Sequence, residues 1–135
     1  PGPGGGPGDS GVHCGVICDA SLPTFLLPHW GRDRDRGERL PLELLVKKQT
    51  HDTARLYGLG DRGTVEPGMV ADLNVIDFDR LRLGVPRVVT DLPAGGSRLV
   101  QGAEGYVATI KSGVVTFEDG VETGARPGRL VRGAR

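Results

Sequence analysis

The chain has little of what several protein classes require. It has two cysteines in 135 residues, Cys14 and Cys18, four apart near the start. That count and spacing exclude a disulfide-dense secreted scaffold and a paired zinc-knuckle pattern, and favour a reduced, cytoplasmic chain. Net charge is also missing: Lys plus Arg and Asp plus Glu each total 17, with the signs interspersed apart from short runs such as Arg32-Asp33-Arg34-Asp35-Arg36. A nucleic-acid scaffold normally carries a net basic field, so no nucleic-acid partner is expected. No apolar run reaches the roughly 18 residues a membrane span needs, and no basic-then-apolar signal segment opens the chain. The expectation is therefore a soluble protein with no membrane partner.

What is abundant is glycine and proline, 23 and 10 residues. Together they form about a quarter of the chain against the ordinary ~12%, and no collagen-like period runs through them, so most mark turns. The opening PGPGGGPG (1–8) cannot form a regular helix or strand, because glycine is costly to fix and each proline lacks an amide donor. It reads as disordered, or as a poor copy of an ordered segment beside a boundary, an engineered scar or a damaged reading frame.

Residues 15–27 (GVICDASLPTFLL) are mostly apolar but interrupted by Pro23, which predicts a loop with a short buried helical turn. Residues 32–39 read as a charged surface excursion. Leu40 to Tyr57 is the best helical stretch, with Pro41 suited to a first turn and Leu42, Leu45 and Val46 on one face. Thr50 and Asp52 read as stop and N-cap signals, giving one helix over about 41–48 and a second over 53–56 closed by Gly58.

From Gly60 the period changes. Gly63-Thr64-Val65 reads as a short strand, Glu66-Pro67-Gly68 as a turn, and residues 72–77 as a half-buried alternating strand. Residues 98–100, 106–110 and 114–117 are further strands, with Lys111-Ser112-Gly113 and Glu118-Asp119-Gly120-Val121 as tight turns and 124–135 as an irregular tail. Asp72, Asp77 and Asp79 read as caps of turns and strand ends. The small apolar faces need a second layer that this chain does not itself provide.

Chemical motifs are few. Gly4-Gly5-Gly6 is not a phosphate loop, since no GK[ST] follows and no apolar strand precedes it. The arginines at 126, 129, 132 and 135 have no interleaved aromatics and read as a solvated terminus. His13, Cys14, Cys18 and Asp19 are all metal-ligand types within a short span, but their spacing fits no strong motif, and burial of small thiols is the plainer account. His29 and His51 do not complete such a cluster.

One passage is more specific. ARLYGLGDRGTVEPGMVADLNVID (54–77) resembles the C-terminal passage of the amidohydrolase superfamily. The runs at 9–13 (DSGVH), 18–30 (CDASLPTFLLPHW), 91–99, 105–113 and 117–120 resemble the D-aminoacylase and N-acyl-D-amino-acid deacylase branch. The resemblance extends from Asp9 to Leu130 and leaves out 1–8.

The resemblance implies an α+β fragment. Residues 1–60 would be the C-terminal end of a (β/α)8 barrel, and 61–135 the C-terminal strands of the family's composite β-sandwich. It implies a parent enzyme that hydrolyses an N-acyl-D-amino acid to a carboxylate and a free D-amino acid with one or two zinc ions. Asp9 matches the family's catalytic aspartate near the metal, and is also admitted as a metal ligand. There a carboxylate takes a proton from metal-bound water and passes it to the departing amine. His13 and His29 are carried as substrate-proximal residues.

Unactivated amide hydrolysis needs a barrier reduction well above ~10 kcal/mol, from a positioned metal, nucleophile and oxyanion contacts together. The family's metal ligands lie mainly on earlier barrel strands, so this chain alone is expected to be inactive. Its expected partner is the remainder of the amidohydrolase chain, which could be a separate polypeptide. The alternative is a structural or interaction module that associates, with itself or another chain, through exposed sandwich strands.

Overall fold

The computed structural model describes residues 21–131, a small α+β arrangement whose sheet is antiparallel. Helix α1 (Leu22–Pro28) is the short buried helical turn expected within 15–27, extended to seven residues. Pro23 stands in the first turn, where a missing amide hydrogen costs no hydrogen bond, so it starts the helix rather than breaking it. Directly after Pro28 the hydrogen-bond ladder widens into a π turn, His29–Asp33.

The second helical region contains both expected helices, but not the break expected between them. Helix α2 (Leu42–Lys47), a π stretch (Lys48–Asp52) and helix α3 (Thr53–Leu56) follow one another without a break. Asp52 is helical and caps nothing; its carboxylate bonds the Lys47 ammonium and His51 Nδ1 instead. Thr50 Oγ1 donates back to the Val46 carbonyl at 2.9 Å, a bond the wall of a helix permits. Pro41 is the extended residue before the helix, not a member of its first turn. Gly58 does end the helix: at φ 69° it lets its own amide reach the Arg55 carbonyl at 3.1 Å and the Leu59 amide reach Ala54 at 2.8 Å.

Glu66-Pro67-Gly68-Met69 is a turn with Met69 N bonded to Glu66 O and Gly68 at φ 92°. Gly63-Thr64-Val65 is not a strand. Gly63, at φ 95°, passes so close to the helix that an added Cβ would lie 2.9 Å from the Ala54 Cβ.

Strands β1 (Leu73–Ile76), β6 (Tyr106–Lys111), β7 (Val114–Glu118) and β8 (Val121–Glu122) form a four-stranded sheet in the order β1-β6-β7-β8. Its last two hairpins turn on Ser112-Gly113 and Asp119-Gly120, every one of these residues at positive φ, the geometry that matches strand twist. Two smaller antiparallel pairs lie between β1 and β6. One is β2 (Arg82–Leu83) with β5 (Ala103–Glu104); the other is β3 (Arg87–Leu92) with β4 (Gly96–Val100). Strand β1 does not alternate as expected: Asn74 and Val75 are both exposed.

Helices and sheet meet at a small core of Leu27, Leu45 and Leu81, flanked by Trp30, Leu42, Ile76, Phe78 and Tyr106. Thr24 Oγ1 and the Tyr106 hydroxyl share a 2.7 Å hydrogen bond across the joint. Arg32 fastens it: Nη1 donates to the carbonyls of Phe78 and Asp79, Nη2 to that of Leu81 at 2.9 Å, and the guanidinium lies over the Phe78 ring. Among the described residues no helix is long and apolar enough to cross a membrane.

Candidate functional site

Two of the three residues singled out for chemistry, Asp9 and His13, lie outside the described residues, as do Cys14, Cys18 and Asp19. His29 lies within them. It occupies the π turn after α1, stacked on Phe25 with ring centroids 4.6 Å apart and set edge-on to Trp30 at 5.3 Å. The guanidinium of Arg34 covers the other ring of this row, 4.3 Å from the Trp30 centroid. Arg32 and Asp33 form an ion pair alongside. The hydrogen bond from Arg32 holds the Asp33 carboxyl below its usual range, with burial opposing.

The second described histidine, His51, lines an open groove of about 550 Å³ along α2, with Leu42, Val46, Lys47, Thr50, Gly63 and Thr64. At its edge the Thr64 hydroxyl is shielded from solvent without a hydrogen-bond partner. His51 Nδ1 is 3.0 Å from the Asp52 carboxylate, which hydrogen bonds from Lys47 first and His51 second keep below its ordinary pKa. His29 and His51 therefore serve different surroundings, one aromatic and one ionic.

Among the described residues no three histidine, cysteine or carboxylate groups come together to hold an ion. His29 is packed in a ring row and His51 is engaged by Asp52, so residues 21–131 do not fit a zinc site.

The aspartates read as caps behave differently from one another. Asp77 Oδ1 accepts from the Arg80 amide at 3.2 Å and caps its turn. Asp72 does more: it accepts from Lys111 Nζ and the Ser112 amide, each at 2.9 Å, and from Arg62 Nη1 at 2.8 Å. Burial pushes its pKa up, and these three partners pull it further down, leaving it lowered. The 62–72 loop is thereby pinned to the β6–β7 hairpin.

The amidohydrolase family model matches residues 4–117. The chain belongs to the amidohydrolase family. Over 129 residues the chain is 31% identical to the N-acyl-D-glutamate deacylase of Alcaligenes xylosoxydans xylosoxydans, an alignment covering 88% of this chain and 24% of that protein. The chain thus spans about a quarter of the length of the curated relative it matches. No solved structure matches it. The amidohydrolase resemblance read at 54–77, and the D-aminoacylase-like character read at 9–13, 18–30, 91–99, 105–113 and 117–120, are supported by these matches.

Sequence reasoning missed Arg32 and Arg34, treating 32–39 as a surface excursion. Their alternation with acids disguises them; the signal available was the arginine four residues after Trp30, a spacing that places a guanidinium over a ring on a helical turn.

Proposed function

We propose that this amidohydrolase chain is the C-terminal share of a deacylase acting on N-acyl-D-amino acids, inactive by itself and supplying framework and one acidic residue to a larger catalytic body. The observation that carries this reading is the 31% identity to a deacylase over 88% of the chain. In this reading residues 1–60 end the barrel and 61–135 contribute strands to a composite sandwich. The sheet supports that assignment. Leu73, Val75, Ala108, Ile110 and Val115 fall on one face by register, and Val75 and Val115 are 47% and 39% exposed, as a layer awaiting cover would be.

The reaction cleaves the amide C–N bond. Water adds to the carbonyl, and the Asp9 carboxylate carries the water's proton to the departing amine, leaving a carboxylate and a D-amino acid. His13 and His29 border the substrate. The zinc of this reaction would be held by residues other than 21–131, in the remainder of the enzyme.

The test is a chimera in which this chain replaces the corresponding quarter of the N-acyl-D-glutamate deacylase. Turnover of N-acetyl-D-glutamate is expected, falling about 10²-fold or more with Asp9→Asn, the usual range for loss of a proton carrier. A folded chimera indifferent to Asp9→Asn would refute the assignment.

The same open sheet face favours a second reading, an interaction module that self-associates through its strands. A gel-filtration mass near 14.2 kDa with dispersed amide resonances would refute that reading.

A further inference from the structure

We propose that Arg34, held over Trp30, is a receptor for a carboxylate ligand. The guanidinium is fixed on three sides. The indole ring lies 4.3 Å beneath it, Nε donates to the Arg36 carbonyl, and Gly37 closes over it, since a Cβ there would stand 3.1 Å from Nη2. Gly37, at φ 80°, is thus the residue that leaves room for the group.

Fixing Nε leaves Nη1 and Nη2 as the free edge of the fork, and among the described residues neither is bonded to an acceptor. Asp33 is engaged by Arg32, and Asp35 and Glu38 make no ion pair with Arg34. A planar guanidinium with two parallel donors and its orientation already set matches a carboxylate, and loses little entropy on binding one. From Trp30 the ring row continues through His29 to Phe25, which is 41% exposed. An aromatic wall next to a charged fork suits a molecule with an apolar part and a carboxylate, such as an N-acyl amino acid. That choice of ligand rests on the proposed reaction; the receptor itself does not.

Trp30 is the single tryptophan of the chain, so the site carries its own reporter. Emission of the 135-residue chain would be titrated at constant ionic strength with acetate and N-acetyl-D-glutamate, and with phosphate and chloride as comparators. A saturable change with both carboxylates in the millimolar range is expected, absent with chloride and weaker with phosphate. Arg34→Ala should abolish it. Arg34→Lys, which keeps the charge but loses the fork, should weaken it about fivefold or more. Gly37→Ala should weaken it by displacing the guanidinium.

No saturable change in the wild type would overturn the proposal, as would an Arg34→Ala titration matching wild type. Phosphate binding as tightly as acetate would overturn the carboxylate assignment. Circular dichroism checks the fold of Arg34→Ala; if it is unfolded, Arg34→Lys decides by the same criterion. Failure here leaves the chimera's turnover untouched, so the two proposals fail separately.

Discussion

The joint between the helices and residues 76–83 differs sharply from the open face of the four-stranded sheet. At the joint Leu81 is fully buried, Arg32 satisfies three carbonyls at once, and Gly105 lets two backbones touch. On the sheet, the hairpins are fixed by their own turns while aliphatic side chains stand half in water. Local turn chemistry can define a sheet's connectivity without giving it a core. Tertiary stability in this chain is concentrated where distant segments meet.

Mutations at the two regions should therefore differ in size. Leu81→Ala should destabilise by about 2–5 kcal/mol, the range for deleting a buried leucine, whereas Val75→Ala should cost under about 1 kcal/mol because the side chain is half hydrated already. Chemical denaturation of both variants checks the contrast, and equal losses would break it.

Next in size is Gly105→Ala, expected to cost about 1–3 kcal/mol. The residue has φ 94° and its Cβ would come within 2.7 Å of the Leu81 Cα, so backbone must move. Alanine at Gly113, where nothing lies within 4 Å, should cost less despite its φ of 80°. Arg32→Met should follow at about 1–3 kcal/mol, since it removes the guanidinium donor from the Leu81 carbonyl and leaves the Phe78 carbonyl only the Leu81 amide. Thermal unfolding would rank these variants.

The smallest effect concerns pH. Asp72 has a folded pKa lowered from its ordinary 3.8. Its contribution is therefore fully present above the unfolded value and is lost as pH falls through the folded one. Stability measured from pH 5 downward should decline less steeply in Asp72→Asn than in wild type; identical slopes would contradict the ionic role of Asp72.

Much of this arrangement is legible in the sequence wherever a single residue type dictates a backbone. Gly58, Pro67-Gly68, Ser112-Gly113 and Asp119-Gly120 announce their turns, and β6 and β7 follow from what those turns join. The β3–β4 hairpin is less legible because it turns on Pro93-Ala94-Gly95, with Ala94 at φ 59°, where no local signal asks for positive φ. Thr50 and Asp52 mislead because their side chains have two uses, capping and back-bonding, and contacts with Lys47 and Val46 decide between them. The functional residues divide similarly. Asp9, His13 and His29 come from resemblance, whereas the Arg32 clamp depends on partners 46 to 49 residues away, beyond any local pattern.

The account is tested most directly by measuring zinc content and N-acetyl-D-glutamate hydrolysis on the purified 135-residue chain. It predicts no stoichiometric zinc and no turnover above the uncatalysed rate. One zinc bound per chain, accompanied by turnover, would contradict it.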